Sequence, residues 1–179
     1  MKSVPASRTD PRRLALRILG EVEARNAHAD QLVADALRDR PMRADDAGLL
    51  HELVLGTLRR RRTLDFHIDQ LCDKGLDSLP PPIVRILRLG LYQLEYLDRV
   101  PPHAAVDQAV RQVRAGKTPG LAGLVNALLR NAPARLPGIE VPAEPRAEFL
   151  GVQQSFPTFL VERWLGVSAS RRPSRCSRH

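Results

Sequence analysis

The 179 residues are 43% apolar, enough for one compact domain, but only 4% aromatic, so a core must be built from Leu, Ala, Val and Ile, which favours helices over sheets. A formal charge of +8 directs attention to anionic partners, nucleic acid above all. Cys72 and Cys176 are isolated, which argues against a disulfide framework or a CxxC site, and the N-terminus reads as neither signal peptide nor membrane span, so a cytoplasmic location is expected.

The charge is uneven: residues 1–62 hold 13 basic and 9 acidic groups, residues 63–165 hold 11 of each, and the last fourteen hold four arginines and no acid. Only three of the 28 basic residues are Lys. Arg suits bidentate phosphate contacts, although an Arg- and Ala-rich composition also arises from genomic base bias.

In "TDPRRLALRILGEVEARN", Asp10 can cap a helix and Pro11 fits its first turn; Leu14, Ala15, Ile18, Leu19 and Val22 mark a buried face, with Arg12, Arg13 and Arg17 projecting away. "HADQLVADALRDR" reads as a shorter amphipathic helix. A third helix is predicted from about Arg43 through the arginines at 59–62, followed by a short one, "LDFHIDQLCD". "LPPPIVRILRLGLYQLEYLDRV" is so apolar, with Arg85, Arg88 and Glu95 along one narrow stripe, that other helices must surround it, Leu87 and Leu94 included. "VPPHAAVDQAVRQVRAG" again starts on Pro, and "GLAGLVNALLRNA" is the last strong helix. These make an all-α domain of about seven helices over residues 1–133. Residues 134–165 read as a Pro-rich linker with a short helix after Pro157, and 166–179 as a disordered Ser/Arg-rich tail.

Several motifs nearly form. "HELVL" lacks the second His of a zinc-protease helix, since Leu55 stands where it must be. "AGKTPG" has the end of a P-loop but neither its first glycine nor a preceding strand, and reads as a helix stop. Asp65 and Asp69 lie one turn apart and suit solvated or capping roles better than acid/base work. No metal or catalytic constellation is evident, and neither Cys sits in an activating context.

The ordered segments "ELVLGTLRRRRTLDFHIDQL", "ILRLGLYQLEYLDRVPPHAAVDQAV" and "GLVNALLR" closely resemble the N-terminal domain of the RsmB (Sun/Fmu) family of small-subunit ribosomal RNA cytosine-C5 methyltransferases, in one superfamily with the antitermination factor NusB. The resemblance covers about residues 10–165. "FPTFLVERW" is similar to that family's approach to its methyltransferase domain, with Phe159 in place of the usual Trp. It implies a NusB-like bundle and RNA as partner, with a protein partner besides if the chain works as NusB does. The S-adenosylmethionine site and the two family cysteines would belong to a domain missing here. Cys176 matches neither cysteine motif, so the chain is expected to be truncated, to need no cofactor of its own and not to be an enzyme by itself.

Two arginine groups are RNA-binding candidates. Four consecutive residues cover about 400° of helix, so Arg60, Arg61 and Arg62, with Arg59, cannot share one face; some are expected to pair with Asp65 or Asp69 or to bury their stems. Arg8, Arg12, Arg13 and Arg17 are the stronger set, and the resemblance to NusB, whose N-terminal basic region takes part in RNA binding, supports it. A solvated face with Arg17 paired to Glu21 is the plainer reading. The functions in contention are an RNA-binding accessory to ribosomal RNA methylation, a NusB-like transcription antitermination factor, and an inert remnant that binds RNA through charge alone. The oligomeric state is left open.

Overall fold

The computed structural model describes residues 10–25, 27–40 and 42–170, with side chains described as far as Gly166, and every regular element among them is helical. Arg8 and residues 171–179 of the expected tail lie outside the described residues. The bundle is formed by α1 (Pro11–Arg25), α2 (Ala29–Asp39), α3 (Ala44–Arg59), α4 (Arg61–Leu71), α5 (Pro81–Tyr96), α6 (Pro102–Arg114) and α7 (Ala122–Arg135). These are the seven helices that the sequence predicts. Asp10 caps α1 as anticipated, its carboxylate accepting the Arg12 amide at 2.9 Å. Pro81 and Pro102 open α5 and α6, where a missing N–H costs nothing.

α5 is the axis of the molecule: α1, α3, α4, α6 and α7 all pack on it. Ile83, Leu87 and Leu91 along it are fully buried, against Ile18, Leu50, Leu53, Leu64 and Leu129 from the surrounding helices. Each such side chain contributes about 1.5–3 kcal/mol by leaving water. Leu94, expected in the core, is only half-buried at its margin. The polar stripe of α5 faces inward too: Arg88 is buried, Arg85 meets Glu23 of α1, and Glu95 meets His67 of α4.

Three boundaries differ from the sequence reading. The arginine block does not end one helix; the chain turns at Arg60 (φ −102°, ψ 11°), closing α3 and opening α4. Four arginines of equal helix propensity carry no stop signal, and packing of α4 against α5 sets the break. α7 passes through Pro133 to Arg135, whose guanidinium donates to the Leu71 and Gln70 carbonyls at the end of α4, while Ala132 stays fully buried. Finally, residues 134–165 are more than a linker. They hold α8 (Arg146–Gln154) ahead of the short helix expected after Pro157, which is α9 (Thr158–Ser170) and runs on through Gly166–Ser170, read as tail.

α8 and α9 are fastened to α4 by polar contacts. The Thr63 hydroxyl donates to the Val152 carbonyl at 2.6 Å, and the Arg62 amide donates to the Ser155 hydroxyl at 2.9 Å. The Arg62 guanidinium donates to the Phe156 carbonyl and to the Thr158 hydroxyl, and pairs with Glu148 at 2.6 Å. Gly151 leaves the room this guanidinium occupies; a side chain there would overlap it. Hydrogen bonds from Arg62 and then Thr158 hold the Glu148 carboxyl below its ordinary 4.5.

Leu87→Ala is expected to cost about 2–5 kcal/mol in denaturant unfolding, and Leu94→Ala distinctly less. Because the Glu148 value is depressed by folding, its contribution to α8–α9 docking is whole above pH 4.5 and is lost as pH falls through its lowered value. Trp164, the chain's one tryptophan, stands edge-on to Phe156 on α9 and reports this by fluorescence: wild type should change only below pH 4.5, and Arg62→Ala should show the undocked signal at neutral pH.

Candidate nucleic-acid interface

α1 and α3 run in opposite directions along α5, so the start of one and the end of the other come together. Arg12 Nε donates to Gln93 Oε1 at 2.7 Å, and the Arg60 guanidinium lies 5.2 Å from the centre of the Tyr96 ring. Gln93 and Tyr96 occupy the last turn of α5. One end of the bundle therefore gathers Arg12, Arg13 and Arg60, with Arg59 beside them. Arg13 is exposed; Arg17, half-exposed one turn further along α1, approaches Glu21 at 3.7 Å, the pairing that the spacing suggested.

The arginine block is divided by the turn at Arg60. Arg61 faces Asp65 at 3.9 Å beside an open cleft lined by Glu23, Asp77 and Arg88. Arg62 is consumed by the α8–α9 contacts. Asp65 is itself clasped by Arg88, which donates to both its oxygens at 2.5 and 2.9 Å and to Glu23 at 2.8 Å. Asp69 accepts the Leu76 amide at 2.8 Å, a capping role. Of the seven candidate arginines, Arg12, Arg13 and Arg60 share one end of the molecule, Arg17 adjoins them on α1, Arg61 and Arg62 point elsewhere, and Arg8 is outside the described residues.

Arg60 is seated by aromatic packing. Tyr96 stacks on Tyr92 with ring centres 5.2 Å apart, and the Tyr92 hydroxyl donates to Glu52. Gly56 on α3 makes this possible, since any side chain there would overlap the Tyr92 ring. Burial, then the hydrogen bond to Glu52 and its charge, push the Tyr92 hydroxyl far above its ordinary 10.0. Burial and the Glu95 charge raise Tyr96 as well, against the pull of Arg60.

Beside Arg12, sequence reasoning missed three glutamines. Gln93 is buried, and its amide nitrogen donates to the Leu89 carbonyl at 2.9 Å. Gln108 and Gln112 of α6 line a narrow crevice with Arg12 and Leu16 of α1, floored by Ile86, Leu89 and Gly90 of α5. The i,i+4 spacing of Gln108 and Gln112 was visible in "VDQAVRQVR", but not that α6 faces α1 across α5. Elsewhere, His51 is exposed at 4.0 Å from Asp30, and the "AGKTPG" segment follows the end of α6, as a helix stop would. Among the described residues no cluster of His, Cys, Asp or Glu could hold a metal, and no helix is long and apolar enough to cross a membrane.

The model of the NusB family matches residues 9–133. This chain belongs to the NusB family. Its curated relatives include the probable ribosomal RNA small subunit methyltransferase B of Synechocystis sp., 40% identical over 152 residues that are 84% of this chain and 34% of the relative. The ribosomal RNA small subunit methyltransferase B of Thermus thermophilus is 40% identical over 157 residues, 87% of this chain and 35% of its own. The chain thus spans about a third of the length of these relatives. Among solved structures, T. maritima NusB superposes with a TM-score of 0.63 at 20% identity, covering 79% of this chain and 98% of that one. A chain in the crystal structure of a plectonemic RNA supercoil gives 0.64 at 19% identity, covering 73% and 96%. These likenesses establish the fold, an all-α NusB bundle.

Both tyrosines of the chain are raised, so a native sample at pH 10.0 should show less than half of the tyrosinate absorbance that the same sample shows after unfolding. Equal absorbance in the two states would mean that the Tyr92–Tyr96–Arg60 stack does not form in solution.

Proposed function

We propose that this chain is an RNA-binding domain that helps seat small-subunit ribosomal RNA for cytosine-C5 methylation, the methyl transfer itself and its S-adenosylmethionine belonging to a further domain such as the relatives' greater length can hold. The observation that carries the reading is the gathering of Arg12 and Arg13 with Arg60 at one end of the bundle, with Arg17 next along α1. Arginines so placed can neutralise several phosphates at once, with bidentate geometry and release of counterions. Recognition would run mainly through phosphates and shape: Tyr92, Tyr96 and Arg60 are stacked on one another and offer no open aromatic platform.

The rival reading is a NusB-like transcription antitermination factor that binds RNA together with a protein partner, and the shared bundle favours it. What favours the methyltransferase reading is α8–α9. A match covering 88% of this chain, as with the probable ribosomal RNA small subunit methyltransferase B of Bacillus subtilis over 158 residues, cannot avoid α8, whereas the NusB match ends at residue 133.

The test is fluorescence anisotropy over a salt series with hairpins that tile small-subunit ribosomal RNA, each beside a scrambled hairpin of equal length. Arg13→Ala with Arg17→Ala should leave unfolding nearly unchanged, and adding Arg12→Ala, which takes the donor from the buried Gln93 oxygen, should cost about 1–3 kcal/mol of stability. The three together should flatten the plot of log affinity against log salt by about two to three, one for each phosphate that is no longer neutralised. An unaltered slope removes α1 from the interface, and no binding by wild type at physiological salt sinks the proposal. A protein partner needed before any RNA binds would favour the antitermination reading.

A further inference from the structure

The exposed arginines explain affinity for a polyanion but not choice among polyanions, because a phosphate contact carries no sequence information. A second kind of chemistry lies beside them. α1 and α6 both pack on α5 without closing over it, and the crevice between them is lined by Arg12, Gln108, Gln112 and the buried Gln93.

Gln93 is 3% exposed and both ends of its amide are used. The nitrogen is fixed to the Leu89 carbonyl, so the oxygen must point at α1, where it takes the Arg12 Nε at 2.7 Å. Held by Nε, the Arg12 guanidinium keeps its two terminal nitrogens without an acceptor among the described residues. Across the crevice, Gln108 and Gln112 lie one turn apart on α6, so they share a face; both are half-buried, and neither amide has a hydrogen-bond partner among the described residues. Neither amide is sealed from water, so both stand open at the rim of the crevice with donor and acceptor unused by the protein. An amide offers a donor and an acceptor together, the pairing that reads the edge of a base, whereas a guanidinium offers donors only. Arg13 and Arg111, exposed beside Arg12 and Gln112, add positive charge on either side.

We propose that this crevice is the base-reading element of the interface: Gln108 and Gln112 hydrogen-bond the edge of an unpaired nucleotide whose phosphate is held by Arg12, and Gln93 is the positioning residue that aims Arg12. The inference deepens the RNA-binding reading and rests on it. The crevice is too narrow to swallow a base, so the nucleotide lies along its mouth with its edge toward α6, as in a single-stranded loop.

The same tiled hairpins separate the two ideas. Wild type should prefer one hairpin over its scrambled partner by about tenfold or more, the discrimination of one good amide–base pair. Gln108→Ala with Gln112→Ala should bring that ratio near one and leave the salt slope and the unfolding midpoint unchanged. Gln93→Leu should weaken binding to all hairpins and flatten the salt slope by about one, because Arg12 is no longer aimed; added to Arg12→Ala, it should weaken binding no further. A wild type that binds every hairpin alike, or glutamine variants that keep the preference, overturns this inference while the charge-based function stands. A wild type that binds no hairpin overturns both.

Discussion

The structure depends on the placement of one buried charge. Arg88 sits midway along α5 with 8% of its surface exposed, and a guanidinium taken so far out of water costs several kcal/mol unless it is matched. Asp65 from α4 and Glu23 from α1 match it, and Glu23 serves Arg85 as well. Only an arrangement that brings the end of α1 and the first turns of α4 to the middle of α5 satisfies this network. Apolar packing tolerates many near-alternatives, so the network supplies geometry more than stability.

From that constraint the basic end of the bundle follows. With the end of α1 held at Arg88, its beginning lies toward the C-terminal end of α5, where Arg12 meets Gln93, and so Arg12 and Arg13 reach the end where α3 delivers Arg60 to Tyr96. Residues nearly fifty positions apart thus come to the same end of the bundle. The same turn at Arg60 sends Arg61 and Arg62 away, and Arg62 becomes the clamp that fastens α8 and α9. A run of identical residues thus divides into part of a basic surface and an internal tie, according to which side of one backbone turn each residue falls on.

Charge and base reading make different demands on a protein. Arginines that meet phosphates work at long range and tolerate loose placement, whereas an amide that reads a base must be held to within a few tenths of an ångström. In this fold the exposed side chains of α1 suit the first task, whereas Gln108 and Gln112 are fixed only through their backbone, by the packing of α6 on α5.

The helical class, the seven bundle helices and the central place of α5 were legible in the sequence, because apolar periodicity and the Asp10, Pro81 and Pro102 start signals are local properties of the chain. So was the pairing of Arg17 with Glu21, one turn apart. The break at Arg60, the passage of α7 through Pro133, the docking of α8 and the burial of Arg88 were not. In each of these the local signal is neutral or contrary, and a partner distant in sequence decides: α5 for Arg60, the α4 carbonyls for Arg135, Arg62 for α8, and Asp65 with Glu23 for Arg88. By itself the sequence determined which residues form helices and which faces are apolar, since both follow from spacing along one chain; only the tertiary structure decided which arginines stand free, because that depends on whether a carboxylate or carbonyl from another helix reaches them first.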